Sequence, residues 1–253
     1  MLLANTKEDC ILTISFNRSL EILSIIPARG GSKAIPRKNI KLLKERPLLS
    51  YTAESSRQSS FITRHILSTD DDEIAAIGQD YGLEVPFMRP TNLSRDDSPS
   101  IDCFKYTLQQ LLLLEDYTPD YVVILQPTSP LRTSLHIDEA IQLFLTTDCD
   151  SLVSIVDVPH NMTPSSVMNI DPQGYLYSPV DPLNISYQRQ RKTRVFARNG
   201  AAIYITTPEL ILSNSSLFGP KLIGYLMTKL DSIDIDDYDD WILVEALLQW
   251  RDK

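Results

Sequence analysis

Cysteine, histidine and positive charge are all scarce in this chain of 253 residues. Cys10, Cys103 and Cys149 are odd in number and have no C-x-x-C spacing. That argues against a disulfide framework and against a zinc site; they read as structural thiols of a reducing compartment, the cytoplasm. His65, His136 and His160 stand at spacings that fit neither a metal site nor a catalytic triad, and read as structural. Lys and Arg number 24 against 33 Asp and Glu, a net charge of −9. A general nucleic-acid binder would be broadly basic, so that class is excluded. Long apolar runs are missing as well. The run Cys10 to Phe16 is too short to span a membrane, and no Ala-x-Ala-like cleavage site follows it. Residues 1–20 therefore remain an unassigned N-terminal extension. With 43% hydrophobic and 23% charged residues, what is left is ordinary for a soluble globular protein. Such a chain is long enough to bury a core in one large α/β domain or two small ones.

Short apolar runs alternate with longer amphipathic segments. Ile22 to Ile26 reads as a strand, then a helix near Pro47 to Arg57, with Pro47 at a favoured first-turn position. A strand at His65 to Ser68 precedes Thr69-Asp70, a cap for a helix through Tyr81. A short strand at Glu84 to Phe87 and a helix from Pro99 to about Asp116 come after it. Tyr121 to Leu125 is a continuous apolar run, the pattern of a strand covered on both faces. Next come a helix at His136 to Thr146 and a strand at Ser151 to Val156. This rhythm predicts an α/β fold: a three-layer, doubly wound, mostly parallel sheet. It fails between 157 and 194, where Pro159, Pro164, Pro172, Pro179 and Pro182 fall. So long a structureless loop is unusual within a domain, and an excursion that packs on a second subunit is the better reading. Strand patterns resume at Ala201 to Ile205 and Lys221 to Met227, and Tyr238 to Trp250 forms a closing helix.

The cations that the chain does have are concentrated. Arg29, Lys33, Arg37, Lys38, Lys41, Lys44 and Arg46 place seven of the 24 Lys and Arg between positions 29 and 46. A local basic loop on an acidic protein suits a small anionic ligand. The loop comes after the first strand and contains Gly30 and Gly31, which let the backbone turn sharply and approach phosphate oxygens. Consecutive N–H groups in such a turn form an anion-binding concavity. Arg29 can fork onto two phosphate oxygens, and Lys33 supplies a movable point charge. No glycine stands at the spacing that a G-x-x-x-x-G-K-[ST] loop requires. The chemistry fits a nucleoside triphosphate.

A second constellation is Ser232-Ile233-Asp234-Ile235-Asp236-Asp237. If it is extended, Asp234 and Asp236 share one face while Ile233 and Ile235 face the core. Two carboxylates aimed at one spot repel unless a cation sits between them, and Mg²⁺ takes one or two carboxylates plus phosphates and waters. The other reading is an acidic run that caps the next helix, a task for which Asp237, Asp239 and Asp240 are placed. Gln126, in Leu125-Gln126-Pro127-Thr128-Ser129-Pro130-Leu131-Arg132, ends a central strand, beyond which ligands sit in open α/β sheets.

These segments carry a family resemblance. Ile26-Pro27-Ala28-Arg29-Gly30-Gly31-Ser32-Lys33, then Ile35-Pro36-Arg37-Lys38-Asn39, closely resembles the first motif of the acylneuraminate cytidylyltransferases. These are the CMP-sialic acid synthetases and their relatives acting on other nine-carbon 2-keto sugar acids. Arg89-Pro90-Thr91-Asn92-Leu93-Ser94-Arg95-Asp96 is similar to the family's Arg-Pro-x-x-Leu-x-x-Asp segment. The Gln126 segment, Arg189-Gln190, Asn199-Gly200-Ala201-Ala202-Ile203-Tyr204 and the Asp-x-Asp also resemble family motifs. Together they run in the expected order from about Leu23 to Trp250.

The resemblance implies a Rossmann-like nucleotidyltransferase domain over 21–253, with 157–194 a dimerisation and acceptor-site excursion of a homodimer. It implies transfer of CMP from CTP to a nonulosonic acid, with Mg²⁺ on Asp234 and Asp236. Arg29, Lys33 and Asp234 take catalytic roles. Gly30, Gly31, Ser32, Lys38, Asn39, Arg89, Ser98 and Ser100 join Arg29 and Lys33 around the nucleotide. Gln126, Arg189, Gln190, Asn199 and Tyr204 face the sugar acid. One departure stands out: many relatives carry arginine two residues before the Asn-Gly, where this chain has Ala197, with Arg198 one place later. Two alternatives stay beside this reading, a cytidylyltransferase for the eight-carbon acid Kdo and a non-catalytic nucleotide-binding subunit.

Overall fold

A computed structural model of the chain describes residues 19–179, 194–200 and 202–251. Its first strand, β1 (Ile22–Pro27), is the apolar run and stops at its proline. After a two-stranded turn, β2 (Leu42–Leu43) against β3 (Arg46–Pro47), the helix α1 (Leu48–Arg57) returns the chain to β4 (Arg64–Ser68), parallel to β1. Helices α2 (Asp72–Asp80) and α3 (Ser100–Glu115) lead to β5 (Tyr121–Ile124), parallel to β1 on its other side. Then come α4 (Ser134–Thr146), β6 (Ser151–Asp157), the small hairpin β7 (Asn169–Ile170) and β8 (Leu176–Tyr177), and β9 (Phe196–Arg198). The chain ends through β10 (Tyr204–Thr206), α5 (Pro208–Leu212), β11 (Leu222–Met227) and α6 (Tyr238–Arg251). The main sheet runs β11-β6-β10-β5-β1-β4, with β9 also paired to β6. It is mostly parallel, as expected; β10 lies antiparallel between β5 and β6, and β9 is antiparallel to β6.

Alternation along β1 explains the three layers. Ile22 and Ile26 point into a core shared with Leu49 and Ala53 of α1, Ile74 of α2 and Ile141 and Phe144 of α4. Leu23 and Ile25 point the other way, onto Phe104, Leu108 and Leu111 of α3. Each such fully buried branched side chain contributes about 1.5–3 kcal/mol. A third cluster ties distant segments of the chain together. Ile35, Leu43 and Leu48 pack with Leu131, Ile235, Trp241 and Val244, which seats α6 and the Asp-x-Asp segment under the cationic loop.

Two local expectations change. The cap of α2 is Asp71, whose side chain accepts from the Ile74 N–H; Asp70 is diverted, its Oδ1 accepting from the Gly30 N–H at 3.1 Å. The strand expected at Glu84 to Phe87 reduces to one bridge between Ile66 and Glu84. Of the 157–194 excursion, the described part is a turn-rich stretch with the β7–β8 hairpin, and 180–193 lie outside the described residues.

His65 and His136 fill structural positions, as their spacing suggested. His65 Nδ1 lies 2.9 Å from Ser56 Oγ, and His136 Nδ1 accepts from the Thr133 N–H in a capping box at the start of α4. Burial holds both rings below their ordinary pKa, against a smaller opposing pull on His136 from Asp231. The folded state thus resists protons that the unfolded chain takes up near pH 6.5. Stability is full above that pH and falls as the pH drops below it. A melt at pH 5.5 should therefore lie below one at pH 7.5 by more in wild type than in His136→Gln. Glutamine keeps the capping box, so an equal drop in both proteins would assign the loss to other groups.

Candidate active site

The carboxyl ends of β1 and β5 open onto a cleft of about 440 Å³. One wall is the loop after β1, with Arg29, Ser32, Lys33, Lys38 and Asn39. Facing it are Arg89, Ser98 and Ser100, the last at the start of α3. Gln126 and Thr128, just past β5, form the back, and Asp234 and Asp236 complete the rim. Segments scattered over some two hundred positions thus meet around one space. The link across it is direct: Lys38 Nζ donates to the Ile235 carbonyl at 2.6 Å.

The Asp-x-Asp segment is irregular rather than a strand, yet its side chains alternate as a strand's would. Ile235 is fully buried in the third cluster, and its N–H donates to the Thr128 carbonyl at 2.8 Å. That leaves Asp234 and Asp236 facing the cleft. The helix-capping work falls elsewhere: Asp237 Oδ1 accepts from the Asp239 and Asp240 N–H groups, and Asp240 Oδ2 accepts from the Asp236 N–H. Burial pushes the Asp234 carboxyl up, Asp236 adds to the push, and Lys38 and the Ser129 hydroxyl oppose it. Two uncapped carboxylates, one of them half-buried beside the other, are a donor set that fits a hard divalent cation. Among the described residues no cluster of three or more His, Cys, Asp or Glu completes such a site, so phosphate and water oxygens would supply the remaining ligands.

The cationic wall is more committed than the sequence suggested. The Gly30 amide, expected to face phosphate, donates instead to Asp70, and a Cβ at Gly30 would lie 2.7 Å from Asp71 Oδ2. Glycine is needed there because the loop packs on the start of α2. Neither Gly30 nor Gly31 lines the cleft, whereas a Cβ at Gly31 would meet open space. Asn39 is buried, and its Nδ2 donates to the Arg29 carbonyl at 2.9 Å, which holds the backbone that presents Arg29. Arg89 is likewise buried, donating from Nε to Ser94 Oγ and from Nη1 to Cys103 Sγ.

Asn199 and Tyr204 do not line the cleft. Asn199 Oδ1 accepts from Ser154 Oγ at 2.6 Å while its Nδ2 donates to Ser232 Oγ at 2.9 Å, so it ties β6 to the chain just before Asp234. Tyr204 is buried in the core under α3 and packs on Phe218. Both side chains are held by other parts of the protein, outside the lining of this cleft. Arg189 and Gln190 lie outside the described residues. Ala197 pairs with Val156 and Arg198 with Ile155; neighbours in a strand face opposite ways, and Arg198 stacks over the Phe218 ring.

One residue was missed by sequence reasoning. Arg132 is only 2% exposed, and it donates to the Gln126 carbonyl (3.1 Å), the Ala202 carbonyl (2.8 Å) and Thr52 Oγ1 (2.6 Å). It pins α1, the end of β5 and the turn before β10 behind Gln126. Burial drives its pKa down to about 9, against the pull of Asp234. A lone cation closing the apolar, proline-rich Gln126 segment was the available signal.

With this geometry in place, the comparisons are specific. A family model described as Cytidylyltransferase matches residues 23–204. The N-acylneuraminate cytidylyltransferase of Escherichia coli is 33% identical over 236 residues, covering 92% of this chain and 53% of that protein. The CMP-N,N'-diacetyllegionaminic acid synthase of Legionella pneumophila is 35% identical over 236 residues, covering 91% of this chain and 97% of that protein. The pseudaminic acid cytidylyltransferase of Campylobacter jejuni is 30% identical over 86% of this chain and 92% of its own. The chain thus spans about half the length of some curated relatives and nearly all of others. A solved CMP:2-keto-3-deoxy-manno-octonic acid synthetase in complex with CTP shares the fold, with a TM-score of 0.69 at 16% identity over 91% of this chain and 99% of its own.

Proposed function

The chain belongs to the cytidylyltransferase family, and from that premise we propose that it transfers CMP from CTP to the anomeric hydroxyl of a nonulosonic, sialic-type acid, releasing pyrophosphate. The observation that carries this reading is the meeting of the cationic loop and the Asp-x-Asp carboxylates across one cleft, joined by Lys38. The sugar hydroxyl attacks the α-phosphorus and passes its proton to a substrate oxygen; the new P–O bond forms, and the α–β bond breaks with its electron pair leaving on pyrophosphate. Charge building on the phosphoryl oxygens is met by Arg29 and Lys33, cations that the loop after β1 brings to the cleft. Asp234 and Asp236 would hold Mg²⁺, which when bound would neutralise triphosphate charge. Ser32, Lys38, Asn39, Arg89, Ser98 and Ser100 shape the nucleotide's place. Gln126, braced by Arg132, reads the acceptor, with Arg189 and Gln190 carried over from the resemblance alone. A cytoplasmic enzyme is part of this reading, resting on cysteines without disulfide or metal spacing.

The test is a panel. Purified protein, CTP and Mg²⁺ are incubated with neuraminic, legionaminic and pseudaminic acids, and with Kdo as the eight-carbon competitor. Pyrophosphate and a CMP-sugar should form with at least one nine-carbon acid and more slowly with Kdo. No pyrophosphate with any acid refutes the proposal, and a preference for Kdo moves the chain to the other group.

The proposed enzyme is a homodimer. Met162, Met168, Ile170, Tyr175, Leu176 and Phe196 are exposed on the excursion and its return strand, apolar side chains that a second copy would cover. Light scattering should give twice the 28.7 kDa chain mass; a monomer at micromolar concentration contradicts this.

A further inference from the structure

The two cations assigned above to phosphate are both already paired, and with the same carboxylate. Asp96 Oδ1 lies 2.9 Å from Arg29 Nη1, and its Oδ2 lies 2.6 Å from Lys33 Nζ. Asp96 sits in the loop between the 3₁₀ turn at Thr91–Leu93 and α3, and it lines the same cleft. All three side chains are more than a third exposed, and exposed pairs of this kind add little to folding stability. The cluster therefore has no structural task that accounts for it. What it does have is geometry: two anionic oxygens on one centre, spaced much as two phosphate oxygens are, each on a cation that a triphosphate needs.

We propose that Asp96 is an intramolecular counter-ion that holds the triphosphate's place on Arg29 and Lys33, gives it up when CTP binds and retakes it as pyrophosphate leaves. The proposal rests on the cytidylyltransferase reading and adds a residue to its cycle. Lys33 and Arg29 keep the Asp96 carboxyl below its ordinary range, so it stays ionised and repels an arriving phosphate unless it swings away. Ser98, two residues on, lies in the same loop, so this movement also shifts the wall that faces the nucleotide. CTP binding is then an exchange of anions. The carboxylate that lost the exchange competes with pyrophosphate once the α–β bond is broken, which speeds product release.

Calorimetric titration with inorganic pyrophosphate, at fixed salt and Mg²⁺, tests this on wild type, Asp96→Asn and Asp97→Asn. Asp97 neighbours Asp96 but does not line the cleft, so its variant reports the effect of net charge alone. Asp96→Asn should bind pyrophosphate about tenfold more tightly than wild type, a shift well within reach of removing one like charge at contact distance. Product inhibition by pyrophosphate should strengthen in parallel, and Asp97→Asn should stay near wild type. Equal affinity in wild type and Asp96→Asn, an equal gain in Asp97→Asn, or weaker binding in Asp96→Asn each overturns the proposal; the last would mean that Asp96 positions the cations. A CTP titration separates the two readings: a protein that binds pyrophosphate but fails to bind CTP would sink the nucleotide assignment and leave the anion exchange on Arg29 and Lys33 standing.

Discussion

Lys33→Ala and Asp234→Ala should each lose about 10²–10³-fold in turnover, with CTP and the acceptor saturating, while melting within a few degrees of wild type. The two residues reach that result by different physics. Lys33 has a side chain 81% exposed whose ion pair is with Asp96, so its removal costs the fold next to nothing. What it removes is a positive charge aimed at the leaving phosphates. Asp234 is half-buried with its carboxyl pushed up by burial and by Asp236, so ionising it works against folding. Asp234→Asn relieves that cost and keeps the shape, and its melting temperature should equal or exceed that of wild type while activity falls as in the alanine variant. Loss of function with unchanged or raised stability separates a site residue from a core residue. Near-normal turnover in either purified alanine variant would leave the proposed chemistry without its main groups.

The parts of this site that were legible in the sequence are those set by short-range periodicity. Ile22 to Ile26 reads as a strand from its short apolar run, and alternation then sends its side chains to the helices on either face. The same period of two separates Asp234 and Asp236 from Ile233 and Ile235. It holds although the segment is no strand, because Ile235 is fixed from both sides by the Thr128 carbonyl and the cluster around Trp241. What could not be read depends on partners far away in the chain. Thr69-Asp70 looked like a helix cap, but which aspartate caps is decided by the Gly30 amide forty positions earlier. Asn199 looked like an acceptor contact, but its amide is consumed by Ser154 and Ser232. Arg132 shows locally only as a lone cation closing the Gln126 segment; that it is buried depends on the Ala202 carbonyl and the Thr52 hydroxyl, 70 and 80 positions away.

Gly200 is where this long-range packing makes its sharpest demand. The residue has φ +65, and a Cβ there would lie 2.3 Å from both Cγ and Oδ2 of Asp234. Glycine is thus required twice, once by the left-handed backbone and once by the carboxylate pressed against it. Gly200→Ala should cost about 1–2 kcal/mol in stability through the first requirement. Through the second it should cost far more in activity, about 10²-fold in kcat, because Asp234 must turn out of the position that faces the loop. The Mg²⁺ concentration giving half-maximal rate should rise with it. Gly82→Ala supplies the control: its φ is +77, but the added Cβ meets the movable end of Arg57, away from the cleft. Both variants should melt lower by similar amounts, and only Gly200→Ala should lose activity and metal response. Equal losses of activity in the two would trace the effect to backbone strain and detach Gly200 from the carboxylate beside it.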